Sequence, residues 1–340
     1  MINDKPLVSI ITPCYNSQNY IKRYLDNILS QTYSNIELIL VNDGSTDATE
    51  NIILSYKERF EARGYRYVYI RQENKGLGGA INTALKYISG EYFTWCDSDN
   101  FYIDDYVSQK VNFFEEHPEY SIVRCDGYVV NDSDIYSPRS TMCRIKKQED
   151  KFKEHIFENC LYIKNFHFGC AMLRTADFDK VNPQRYIYPS RHGQNWQLLL
   201  PMFYHYKSGY IDKPMFYFVY REQSVSNCVK TQGLDAIYNQ TEEYSRIISK
   251  TLDFMNIPEG EKYKRNIAIK YSNQRLCIAS ENRDKSRLDQ EKEFLIALGA
   301  FDNKSKKIYR DGVNSFFHSA AKTKKFFKKV AYKLRQLLKK

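Results

Sequence analysis

Two aspartates one residue apart, Asp97 and Asp99, close the apolar run in EYFTWCDSDNFY, residues 91–102. Strand side chains two apart share a face, and carboxylates held that close repel unless a proton or a cation lies between them. Oxygen ligands of this type favour magnesium or manganese, and a divalent ion so held grips a pyrophosphate and neutralises it as it leaves. Three more polar groups each follow an apolar run: Thr12 to Asn16, Asn42 to Asp47, and Asn74 to Gly76. Tyr15 suits stacking on a base, and Asp43 suits a base N–H or a ribose hydroxyl. The glycines of NKGLGGA let backbone approach a ligand closely. That loop is neither a Walker motif nor a dinucleotide fingerprint, since it lacks G-x-x-x-x-G-K-[ST] and follows the third strand. A capped turn accounts for VNDGSTD alone, and D-x-D pairs arise by chance. The order and spacing of all four groups carry the reading of a nucleotide diphosphate site.

The elements that must position these groups alternate. LVSIITPCYN, IELILVNDGS, YRYVYIRQ and YFTWCDSD read as strands, and YIKRYLDNILSQT, DATENIILSYKERF (capped by Thr46 or Asp47) and GLGGAINTALKYI as helices. Such alternation predicts an α/β fold, an open and mostly parallel sheet with helices on both faces. Ligands bind outside the carboxyl ends of such strands, so the four polar groups should converge on one crevice. Four regions are expected: 1–125 as the nucleotide-binding half, 126–230 as the second wall of the cleft, 231–305 as a helical region, and 306–340 as a basic tail.

The 340 residues, 42% hydrophobic, support a proper core. No run of about 18 uncharged apolar residues occurs, and the start MINDKPLVSIITPCYN lacks a signal-type core, so a cytoplasmic chain is expected. Eight cysteines without C-x-x-C or zinc spacing read as reduced, mostly buried residues. Nine Lys or Arg of the net +10 lie in KTKKFFKKVAYKLRQLLKK, residues 322–340, leaving about +1 for the rest. Apolar residues recur there at helical spacing, the pattern of a helix lying in an anionic membrane surface. Nucleic-acid binding fits this stripe less well, and a plain solvated terminus is the simpler alternative.

VSIITPCYNSQNYIKRYLDNILSQTYSNIELILVNDGSTDAT, ENKGLGGAINTAL and GEYFTWCDSDN, in that order over about residues 7–125, resemble the family 2 glycosyltransferases with the GT-A fold. The resemblance implies inverting transfer from a nucleotide-sugar donor, usually a UDP-sugar, with Mg2+ or Mn2+ as cofactor. It assigns Pro13 and Tyr15 to the nucleotide-contacting loop and Asp43 to the uracil or ribose. Asn74 and Gly76 go to the donor-side glycine loop, and Asp97 and Asp99 to the D-x-D metal pair, with Asp99 the more direct ligand. YFVYREQSVSN resembles a Tyr-Arg segment whose Arg221 meets a phosphate.

The sequence also departs from that family. Ile81 stands where the donor-side helix often carries arginine, with Lys75 or Arg71 as candidate replacements. Gln194 and Asn195 in RHGQNWQLLLP stand where many members carry the Glu-Asp pair that includes the general base. An amide cannot take a proton at neutral pH, so Asn195 can only position the acceptor. Either His192 or Asp126 is the base, or the hydroxyl loses its proton late during metal-assisted departure of the nucleotide, or catalysis is lost. Gln223 and Val225 replace a histidine of some relatives, which leaves a third protein metal ligand unassigned. The expected function is transfer of one sugar to a growing, lipid-linked surface glycan at the inner membrane face. A donor-binding or scaffold subunit without turnover is the alternative. A nucleotidyltransferase would need a basic glycine-rich loop after the first strand, where TPCYNSQNY stands.

Overall fold

The computed structural model describes residues 5–143, 145, 148–162, 170–221, 224, 229 and 232–314. The elements run β1 (Val8–Cys14), α1 (Ile21–Leu29), β2 (Ile36–Asp43), α2 (Thr49–Ser55), α3 (Lys57–Ala62), β3 (Arg66–Gln72), α4 (Gly76–Leu85), β4 (Tyr92–Trp95), β5 (Phe101–Tyr102) and α5 (Tyr106–Glu116). They continue as β6 (Ile122–Asn131), β7 (Ser140–Thr141), α6 (Gln148–Lys151), α7 (Phe157–Leu161), β8 (Met172–Arg174), α8 (Thr175–Val181), α9 (Gln194–His205) and β9 (Ser208–Tyr220). Four helices end the described chain: α10 (Leu234–Met255), α11 (Gly260–Asn282), α12 (Lys285–Ala297) and α13 (Asn303–Val313).

Among the described residues nine strands form one sheet in the order β3-β2-β1-β4-β8-β6-β9-β5, with β7 beside β6. β1 is parallel to β2 and β4, β2 to β3, and β6 to β9, while β8 runs antiparallel between β4 and β6. The sheet is mostly parallel, as the alternation predicts, and the fold is GT-A-like. Because strand side chains alternate between faces, Ile10, Leu38 and Leu40 pack on one side with Tyr24 and Leu25 of α1, Ile53 of α2 and Phe60 of α3. Ile11, Ile39 and Val41 are buried on the other side, where α4 packs. Nothing of β2 is left in solvent, so its Glu37 is held by Ser9, by the backbone N–H and hydroxyl of Ser89 (2.7 and 2.8 Å), and by Arg66 at 3.1 Å.

The expected single helix over DATENIILSYKERF is broken. α2 ends at Tyr56, whose ring sends its hydroxyl to Asp26, and α3 starts anew. α13 falls in what the sequence suggested was tail; Asp302 caps it by accepting from the Ser305 N–H at 2.8 Å.

The chain divides into two compact units, Met1–Ser224 with Asp253–Met255, and Val225–Leu252 with Asn256–Lys340. The first contains the sheet. In the second, Leu276, Ala279, Leu288 and Leu295 form a small core, beside which Glu291 is buried and bound by Arg275, Ser272 and Tyr238. Among the described residues no helix is long and apolar enough to cross a membrane. The basic segment 322–340 lies outside the described residues, as do Gln223 and Val225.

Candidate active site

Parallel register lines up the strand ends. Cys14 sits beside Asn42 and Asn42 beside Arg71, while Ile11 pairs with Trp95 at the end of β4. The loops that leave this edge are tied together. The Asn16 N–H donates to the Ser45 hydroxyl (3.0 Å), and Asn16 Oδ1 accepts from the Thr46 N–H (2.9 Å). Ser17 and Ser98 share a hydroxyl hydrogen bond at 2.8 Å. Asp43 Oδ1 accepts from Gln72 Nε2 (2.6 Å) and the Lys75 N–H (2.8 Å), joining the β2 loop to the glycine loop. This leaves Asp43 Oδ2 without a partner among the described residues. Gly44 has φ +75°, and a Cβ there would lie 2.9 Å from Asn74 N, so the two loops touch backbone to backbone. Asn74 turns its own Oδ1 to the Gly76 N–H (3.2 Å), Tyr15 is 53% exposed at the rim, and Pro13 is half-buried beneath it. The edge thus gathers Pro13, Tyr15, Asp43, Asn74, Gly76, Asp97 and Asp99.

Asp97 and Asp99 lie in the turn after β4, closed by the Asn100 N–H on the Asp97 carbonyl (3.0 Å). The Asp97 carboxyl is pushed up to about 7, by burial first and then by the charge of Asp99, against the opposing pull of Arg221. The Arg221 guanidinium is bonded directly to Asp99 Oδ2 and lies over the Tyr20 ring, 4.1 Å from its centroid. Asn100 builds this contact by accepting the Val219 N–H (2.9 Å), which brings the end of β9 to the turn. Arg23 donates to the Asp99 carbonyl at 2.8 Å and reaches Asp132 at 3.4 Å. Among the described residues no cluster of three or more His, Cys, Asp or Glu could hold a metal. Two hard carboxylates therefore fit a magnesium or manganese ion that takes its other ligands from phosphate and water, and do not form a closed protein cage.

α9 and the segment before it touch this edge at Trp95 and Gly78. α9 starts at Gln194, which is buried, after Gly193 in a left-handed conformation. Asn195 Oδ1 accepts from Trp95 Nε1 at 2.7 Å. An indole N–H only donates, so this bond fixes the amide with its oxygen on Trp95 and its NH2 directed elsewhere. His192 belongs to the same segment, its backbone N–H on the Ser190 hydroxyl (3.2 Å). Asp126 is placed differently: its Oδ1 accepts from the N–H groups of Gly127 (2.7 Å), Met142 (3.1 Å) and Cys143 (2.7 Å), which makes it the anchor of the β6–β7 connection.

The segment also packs on the glycine loop. The Gly78 N–H donates to the Ser190 carbonyl at 2.8 Å, and a Cβ on Gly78 would strike the backbone of Ser190 at 2.7 Å. Asn82 clasps Ile187 by both backbone groups, accepting at 2.7 Å and donating at 2.8 Å. Of the candidate replacements for an arginine at position 81, Arg71 is turned to Glu50 (3.4 Å), and Lys75 lies against Gly79. Ile81 itself is buried, while Arg191 places its Cγ 3.3 Å from where a Gly76 Cβ would stand. Tyr20, Trp95, Asn100 and Arg191 were not singled out by sequence. Only Trp95 and Asn100, flanking the D-x-D turn, carry a local signal.

The family model for Glycosyl transferase family 2 matches residues 9–181, half of the chain. The chain belongs to this family. An uncharacterized glycosyltransferase of Rickettsia typhi is 40% identical over 170 residues, covering 49% of this chain and 50% of the relative. TuaG of Bacillus subtilis, described as a putative teichuronic acid biosynthesis glycosyltransferase, is 36% identical over 146 residues, 41% of this chain and 56% of the relative. The matched part of the chain thus spans about half the length of these curated relatives. Among solved structures, S. aureus TarS 1–349 in complex with UDP superposes with a TM-score of 0.57 at 19% identity, over 92% of this chain and 82% of that one. At that identity the likeness concerns the fold. The family 2 match runs from the second residue of β1 to the last residue of α8, and α9 and β9 lie beyond it.

Proposed function

We propose that this family 2 chain moves a sugar, with inversion, from a nucleotide-sugar donor of the UDP type to a hydroxyl of a growing, lipid-linked cell-surface glycan. The observation that carries the reading is the set of direct bonds joining the ends of β1, β2, β3 and β4 around Asp43, Asp97 and Asp99. The relatives named for UDP binding and for surface-polymer synthesis support it. Tyr15 offers an exposed ring to the base, and Asp43 offers Oδ2 to the base or ribose while Gln72 and Lys75 hold its other oxygen in place. Asp97 and Asp99 would hold a magnesium or manganese ion, which when bound neutralises the leaving diphosphate.

On the acceptor side, Asn195 can donate its NH2 to a saccharide oxygen because Trp95 holds its carbonyl end. We assign proton removal to His192, which shares the wall with Asn195, whereas Asp126 Oδ1 already serves three backbone donors. Residues 322–340 would bring the chain to an anionic membrane surface, where tethering raises the effective concentration of a lipid-linked acceptor.

The test is a panel of nucleotide sugars with Mn2+, scored for binding and for nucleotide release, and repeated with Asp99→Asn. Binding of a uridine nucleotide is expected, with release reduced by about 10²–10³-fold in the variant, the usual effect of removing one charge-stabilising group from a site. No donor bound, or an unaffected variant, would refute the proposal. The locked amide of Asn195 favours one second reading, a donor-binding subunit without turnover. Donor binding with no release at any acceptor concentration would select it.

A further inference from the structure

Arg221 stands 122 residues from Asp99 in sequence, yet its guanidinium sits on the carboxylate that the donor-site reading gives to a metal. The pair is largely withdrawn from water, with side-chain exposures of 19% and 18%. The contact is also supported from several directions. Tyr20 lies under the guanidinium, Asn100 fixes the β9 end by the Val219 N–H, and Arg23 holds the Asp99 carbonyl. One of the two charges of the D-x-D pair is therefore cancelled from within the protein before any ligand arrives. A divalent ion on the Asp99 carboxylate would repel the guanidinium bonded to the same group, so each weakens the other's hold. Moving the guanidinium off Asp99 in a part-buried site gives up that ion pair, which is costly unless another anion replaces it. A diphosphate arriving with the metal removes that cost, since guanidinium pairs with phosphate oxygens at least as well as with a carboxylate.

We propose that Arg221 is the resident counter-ion of Asp99 and competes with the divalent cation. Metal and nucleotide diphosphate then enter together, and the displaced guanidinium turns from Asp99 to the diphosphate. Arg221 thus couples two binding events, beyond serving as a phosphate contact. The inference rests on the metal-and-donor reading given under Proposed function.

The experiment titrates Mn2+ alone into the full chain, following free Mn2+ by electron paramagnetic resonance, and repeats the titration with UDP. The proteins are wild type, Arg221→Gln and Tyr20→Leu. The second variant removes the ring beneath the guanidinium and keeps the charge, so it carries the test if Arg221→Gln does not fold. Wild type is expected to bind Mn2+ weakly alone and roughly 5- to 150-fold more tightly with UDP, the ordinary range of coupling between sites. In both variants Mn2+ alone should bind more tightly than in wild type, with a smaller gain from UDP. Equal affinity for Mn2+ alone in all three proteins, with UDP still recruiting the metal, would overturn the competition and leave the donor-site reading standing. No Mn2+ uptake in any protein even with UDP would overturn both.

Discussion

Asn195 shows how one hydrogen bond decides what a residue can do. Its amide would be ambiguous by itself, but Trp95 has only a proton to offer, so the amide presents N–H groups to whatever else it meets. A carboxylate at the same place would still accept from Trp95 and would have a second oxygen for a proton. In a His192→Ala background, Asn195→Asp is expected to restore kcat toward the ~10²–10⁴-fold that a positioned base contributes, with a new acid limb in the pH–rate profile. An unchanged kcat in a folded variant would place the acceptor elsewhere. His192→Ala is expected to lower kcat by about 10²-fold with the donor KM unchanged; a rise in KM alone would make His192 a binding residue. Asp97 and Asp99 were noticed because a short motif names their chemistry, although β4 ends at Trp95 and the pair lies in the turn after it, not on a strand face as the sequence suggested. The partners of Asn195 and Asp99 were not. Trp95 and Arg221 lie 100 and 122 residues away from them, and only the closed sheet brings them together.

Between elements, α4 and the segment before α9 meet at close range. Gly78 is needed there because the Ser190 backbone occupies the space of its Cβ. Gly78→Ala should force the two apart, costing about 1–3 kcal/mol as overpacking does and raising the donor KM. A melt unchanged within ~0.5 kcal/mol would show that the junction gives way easily. The helical end of the chain depends on caps. Asp284 accepts from the Arg287 N–H at the start of α12, and Asp284→Ala should cost about 1 kcal/mol, read by denaturant unfolding. Asp302 at α13 is held below the ordinary carboxylate range, first by the Ser305 N–H. A depressed carboxylate stabilises fully above its unfolded pKa and loses its effect as pH falls through the folded value. The protection factors of the α13 amides should therefore fall in acid before those of the sheet do. The parallel sheet and its helices were legible from β-branched runs alternating with amphipathic ones. The break between α2 and α3 was not, since Tyr56 has no intrinsic tendency to stop a helix and its ring is drawn to Asp26.

For the molecule as a whole, the last 19 residues account for nine of the net +10 charges. Ending the chain after Asn314 should abolish flotation with anionic vesicles, to which each basic residue near the surface contributes about 1 kcal/mol. Transfer of the sugar to a soluble acceptor, with release of the nucleotide, should persist. Tail-dependent RNA binding without vesicle binding would refute the membrane role. A last consequence follows from the clasp between Asn82 and Ile187. Through it, α4 and the segment before α9 form one mechanical piece, although the residues between them in sequence, 86–186, belong to other elements. Grafting acceptor preference from one chain to another should therefore fail when the cut falls between residues 85 and 187. It should succeed when Gly76–Leu85 travels with 187–205, as a heritable unit of specificity that the order of the residues conceals.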